Sequence, residues 1–161
     1  MESVENFQLS LEKAKRTLDA ADRMIYTIYP IVKENRLFIK ILEELYSSLI
    51  DLIKAILQYE YIYKRIKLYA DAETNFETFI ECASRYNIPQ KEISDIRKVF
   101  FLFEKHKQSS MGFVRNDKFV IMSDNLRTES ITLDALKHYL NTTRDILHKA
   151  EDILMHSSFN Y

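Results

Sequence analysis

His106, Lys107, Ser109 and Arg115 stand close together in the stretch "EKHKQSSMGFVRNDKFVIM", beside the only glycine of the chain, Gly112. An ammonium, a hydroxyl and a planar guanidinium are the groups that grip a phosphate or a carboxylate, and an imidazole joins them once protonated. A chain that turns back after a helix ending near Lys107 would bring these groups into one anion site. The structural alternative has His106 capping the carboxyl end of that helix and Arg115 paired with a surface carboxylate. A two-residue turn at Asn116-Asp117 sets Arg115 opposite Lys118, which is unfavourable unless an anion lies nearby. Over 97–118 the bases Arg97, Lys98, Lys105, Lys107, Arg115 and Lys118 outnumber Glu104 and Asp117. The segment before it is acidic, with Asp71, Glu73, Glu77 and Glu81, and the two are expected to face each other or water.

Other residue patterns carry less chemistry. His148, Asp152 and His156 recur four apart, a spacing that can place imidazole and carboxylate on one metal. With His138, Asn141 and Asp145, however, they fall opposite a leucine stripe, as a solvent face does, and the Glu-x-x-His pairs of bundle metal sites are missing. No metal and no cofactor is therefore expected. Tyr59, Tyr61 and Tyr63 alternate along a helix and so point in different directions, which favours packing over a base-stacking platform. One glycine cannot build a phosphate loop or a dinucleotide fingerprint, and Gly-x-Ser-x-Gly is absent. Cys82 is the only cysteine, so an internal disulfide and a zinc ribbon are excluded and a small buried apolar role is expected. No residue is assigned as catalytic.

The elements that must position these groups are helices. Val4, Phe7, Leu11, Ala14, Leu18, Ala21, Ile25 and Ile28 step by three and four, which predicts one helix to about Tyr29 that Pro30 kinks or stops. A second helix over about 36–69 is apolar on two faces, as a helix buried by several neighbours is. A third spans roughly 73–86. A fourth opens at Pro89, carries Ile93, Ile96, Phe100 and Phe103 on its core side, and is closed by Ser109, Ser110 and Gly112. The segment about 112–131 reads as a β-hairpin turning at Asn116-Asp117, with a third strand at 127–131. Thr132 then N-caps a fifth helix to about His156, built on Leu133, Leu136, Leu140, Thr143, Leu147, Ala150 and Leu154. The fold class is mainly all-α: an antiparallel bundle of about five helices with a small hairpin between the fourth and fifth, in one domain over 1–161.

Composition agrees, with 47% hydrophobic and 29% charged residues and a net charge of −1 that argues against whole-surface attraction to nucleic acid. No apolar run approaches the roughly 20 residues that span a bilayer. The opening residues lack a basic-then-apolar signal pattern, so a cytoplasmic protein that inserts in no membrane is expected. "ADRMIYTIYP", "AILQYEYIYKRI", "EKHKQSSMGFVRNDKFVIMSD" and "SITLDALKHYL" resemble a group of uncharacterised archaeal helical proteins over nearly the whole chain. That group's pattern His-Lys-x-Ser-Pro-x-Glu-Phe-x-Arg is matched at His106, Lys107, Ser109, Phe113 and Arg115, with Ser110 and Gly112 in place of the proline and glutamate. More distantly, an "ADR" helix followed by a long apolar helix resembles the HEPN superfamily, whose members often dimerise and include metal-independent ribonucleases and toxins. Their Arg, four to six residues, then His motif is absent here, the nearest pairs being Arg97 with His106 and Arg144 with His148. The reading is a non-catalytic helical binding protein for an anion, RNA or a protein partner, forming a homodimer through its long helices. The alternative is a HEPN-like ribonuclease or toxin–antitoxin component with a rearranged site at Arg97, His106 and Arg115.

Overall fold

The computed structural model describes residues 2–109 and 111–156, with side chains from residue 6 onward. The expected contributions of the Val4 side chain and of Ser110 lie outside the described residues. The helices are α1 (Glu2–Arg23), α2 (Tyr29–Val32), α3 (Leu37–Ile62), α4 (Ala72–Cys82), α5 (Gln90–Gln108) and α6 (Leu133–His156), with strands β1 (Met111–Arg115), β2 (Lys118–Met122) and β3 (Thr128–Thr132) between α5 and α6. The mainly helical class is as expected, with a small antiparallel sheet in the order β1-β2-β3.

The apolar spacing of α1 buries Phe7, Leu11, Ala14, Leu18, Ala21 and Ile25 against α3. The two run antiparallel. Near one end Phe7 meets Tyr59 edge to face at 5.4 Å, and farther along, the buried Ser48 hydroxyl donates to the Ala14 carbonyl at 2.7 Å, an approach that the small alanine permits. Pro30 neither stops nor ends the helical path. A π-helical turn, Met24–Ile28, precedes it, and α2 carries the proline in its first turn, where no N–H is required of it. Lys33, in the left-handed region at φ 50°, ends the path instead. The change of pitch rotates the face, so Ile28, expected in the buried stripe, is 41% exposed.

α3 ends earlier than expected, at Ile62, because Lys64 turns left-handed at φ 58° and the Arg65 N–H returns to the Glu60 carbonyl at 3.0 Å. Its two apolar faces lie in the core between α1, α5 and α6. The buried side of α5 is Ile93, Ile96, Val99 and Leu102, whereas Phe100 and Phe103 sit at the core's margin against Tyr46, at 5.4 and 3.7 Å between ring centroids. α6 buries Leu136, Leu140, Thr143, Leu147, Ala150 and Leu154 as its spacing predicts, and the Thr132 hydroxyl accepts the Ala135 N–H at 3.1 Å. Cys82 is fully buried, and burial pushes its thiol pKa up.

The sheet is docked at both ends. Asn116, left-handed at φ 56° in the expected hairpin turn, gives its carbonyl to Asn35 Nδ2 at 3.2 Å, and Asn35 Oδ1 accepts from the Tyr29 hydroxyl at 2.7 Å. Phe119, Ile121 and Ile131 point into the helical core. Gly112 pairs with Ile121 within β1 and therefore does not close α5, which ends at Gln108. Its lack of a side chain has a packing cause: a Cβ there would lie 2.7 Å from the Phe119 ring.

A candidate anion-binding groove between α5 and the sheet

The residues singled out from sequence do not converge. The Ser109 hydroxyl lies 2.6 Å from the Met122 carbonyl oxygen and 2.7 Å from that of Met111, and accepts the Met111 N–H at 3.1 Å, so it fastens the exit of α5 to β2. His106 turns toward α3, with Nε2 3.6 Å from Glu43 Oε1. Lys107 lies over the Phe103 ring at 5.4 Å. Arg115 is at the far end of β1, about 13 Å along an extended strand from Met111. It pairs with Lys118 as expected, is exposed, and makes no side-chain ion pair among the described residues. The reason is the pleat: Met111, Phe113 and Arg115 share the face away from the core, opposite to Phe119 and Ile121. The rearranged Arg97, His106 and Arg115 site does not form either, since Arg97 lies over Phe76 at 5.2 Å. The acidic residues of α4 make no ion pair with the bases of α5 among the described residues; Lys98 instead reaches Glu129 at 3.7 Å.

What does converge is a groove of about 110 Å³ between α5 and the inner face of the sheet, lined by Phe101, Lys105, Ile121, Ser123, Arg127 and Glu129. Lys98, Phe101 and Lys105 share one side of α5 because they are three and four residues apart. The Lys98 and Lys105 ammonium groups lie 4.9 and 5.6 Å from the centre of the Phe101 ring, which is 39% exposed. Arg127 is delivered by the β2–β3 turn. There the Ser123 N–H donates to the Arg127 carbonyl at 2.9 Å, Leu126 is left-handed at φ 66°, and Asn125 Oδ1 accepts the Arg127 N–H at 3.2 Å. Two cations thus flank an aromatic ring, and Arg127 and one carboxylate, Glu129, which Lys98 also reaches, complete the lining of the groove. Lys98 and Lys105 were visible in sequence as part of the basic excess, and their spacing with Phe101 was there to be read. Arg127 and Glu129 carry no local signal, because only the strand pairing brings them beside α5.

A second, more open cleft of about 250 Å³ lies between α5 and α6, lined by Lys91, Glu92, Asp95, His138, Asn141 and Thr142. Asp95 Oδ2 accepts the Thr142 hydroxyl at 2.7 Å and lies 2.8 Å from His138 Nε2. Lys149 bridges Glu92 at 3.1 Å and Asp145 at 2.9 Å. Burial, then the hydrogen bond with Asp145, raises the Glu92 pKa, while the same bond and Lys149 lower that of Asp145. These groups satisfy one another across the helix pair, so the cleft is chiefly a polar link between α5 and α6. His138 is exposed as expected, with 63% of its side chain open to solvent, and reaches Asp95 from the rim of that link. His148, Asp152 and His156 are exposed as expected, and no group of three or more potential ligands is placed to hold a metal among the described residues. No described helix is long and apolar enough to cross a membrane. The sequence matches no protein-family model and no curated protein.

Proposed function

We propose that the protein is a non-catalytic binding protein of the cytoplasm that takes single-stranded RNA through the α5–sheet groove. The observation that carries this reading is the half-exposed Phe101 ring flanked by the ammonium groups of Lys98 and Lys105, with Arg127 across the groove. Single-stranded chains are held in this manner, bases on aromatic faces and phosphates on a basic track. A duplex, whose bases face inward, offers nothing to the ring. Fluorescence anisotropy with labelled single-stranded and duplex RNA over a salt series tests the reading. Phe101→Ala should weaken single-strand binding by about 1–3 kcal/mol, the worth of one stacked base. Lys105→Ala should weaken it less and reduce the slope of log K against log salt by about 0.7, the loss of one phosphate contact. Equal binding by wild type and both variants would overturn the groove. Cleavage of the RNA without added metal would favour the ribonuclease alternative.

We also propose self-association through the apolar tip formed by Ile28, Ile31 and Val32, which are 41%, 79% and 54% exposed. The long helices serve less well, since the stripes of α1 and α3 are buried within the chain.

A further inference from the structure

Glu60 is 1% exposed, yet it carries two arginines from different segments. Its Oε2 lies 2.9 Å from Arg65 Nη1 and 3.3 Å from Arg85 Nη1. Arg65 comes from the left-handed exit of α3, and Arg85 from the 3₁₀ turn Ala83–Tyr86 that follows α4 and ends at the left-handed Asn87. Two guanidinium groups on one carboxylate oxygen must stand side by side, where they repel each other and leave one positive charge uncompensated. Lys64 and Lys67, both exposed, are the next bases along the chain. Glu81, whose charge also reaches Cys82, is exposed on α4.

A buried carboxylate is a weak source of stability, because desolvation offsets the attraction of its partners and an apolar side chain would serve as well. Tyr86 sharpens the point: its hydroxyl is buried in the same corner, close enough to feel the Glu60 carboxylate but without a hydrogen bond of good geometry. What Glu60 does accomplish is geometric. It fixes Nη1 of each arginine, Tyr59 adds a hydrogen bond to Arg65 and Cys82 Sγ lies 4.0 Å from Arg85 Nη2, and both side chains stay 43% and 46% exposed. Arg65 is further steadied over the Tyr63 ring at 5.2 Å.

We propose that Arg65 and Arg85, held together by Glu60, form a clamp for a phosphate monoester. Paired planar forks match the oxygens of a phosphate group. The site shares no residue with the α5 groove and does not depend on it. The phosphate can come from a free mononucleotide or from the end of an RNA chain.

The wild-type chain, labelled with ¹⁵N at arginine, is titrated with AMP, adenosine, inorganic phosphate, and one RNA oligonucleotide with and without a 5′-phosphate. The Nε–Hε signals of Arg65 and Arg85 should shift together with AMP and with phosphate, and should not move with adenosine. A response to the 5′-phosphorylated oligonucleotide but not to its unphosphorylated form assigns the clamp to RNA ends, whereas a response to AMP alone assigns it to free nucleotide. Arg85→Lys should weaken AMP and inorganic phosphate about tenfold, and Phe101→Ala neither. Arginine signals that stay fixed in millimolar AMP and phosphate would overturn the clamp whatever the groove does.

Discussion

A single methyl group decides how β1 meets β2. Gly112 lies beneath the Phe119 ring, and a Cβ would stand 2.7 Å from the ring's Cζ and 2.8 Å from Cε1. Replacing glycine by alanine in a strand usually helps by stiffening the unfolded chain. Here the gain is outweighed, because Phe119 is only 6% exposed and its ring must move against the core. Gly112→Ala should cost about 1–3 kcal/mol of unfolding free energy by urea denaturation, as overpacking does. Tyr86 is a second residue with a definite sign. Burial first, then the Glu60 charge, pushes its phenol well above the ordinary tyrosine range. A group whose pKa is raised in the folded state contributes stability below its unfolded value, near 10, and loses that contribution as pH rises. Wild type should therefore lose stability above pH 10 more steeply than Tyr86→Phe. At pH 7 the variant should lie within about 1 kcal/mol of wild type, since the lost hydroxyl makes no hydrogen bond of good geometry to Glu60. Parallel denaturation curves at pH 7 and pH 10.5 would check both parts, and identical slopes against pH would refute the first.

At the scale of elements, α6 depends on the strand that feeds it. Thr132 is both the last residue of β3 and the N-cap whose hydroxyl accepts the Ala135 N–H. Thr132→Ala removes that acceptor and should cost about 1 kcal/mol, read as a lower midpoint in urea at unchanged slope. Thr132→Ser, which keeps the hydroxyl, should restore most of it. α5 is the other element with a divided role. Its core stripe holds it against α3, one flank carries Lys98, Phe101 and Lys105 to the groove, and another turns His106 to Glu43. The basic residues that look continuous in sequence are therefore parted by the helix's own rotation.

For the whole molecule the open question of self-association has a place on the surface. α1 and α3 close on each other, so the long apolar stripes that suggest a dimer are satisfied inside the chain. Ile31 is the most exposed large apolar side chain described, at 79%, and Val32 follows it at the end of the bent first helix. Light scattering at tens of micromolar should show a dimer, and Ile31→Lys should return it to monomer. Wild type that remains monomeric across that range would sink the idea.

By itself the sequence determined the helices, the hairpin turn at Asn116-Asp117, the N-cap at Thr132 and the burial of Cys82, because each rests on local periodicity or on the backbone preference of one residue. It also placed Arg115 opposite Lys118, since a two-residue turn leaves no other register. Only the tertiary structure decided that His106, Ser109 and Arg115 part company. Strand pleating, helix rotation and the hydrogen bonds of Ser109 are settled by which faces the core accepts, and no spacing within the stretch records that. The same holds for Arg127 beside Phe101 and for Arg65 with Arg85 on Glu60. Those partners are joined by chain segments whose path is set by long-range packing, so their meeting is a property of the assembled core and of no single stretch.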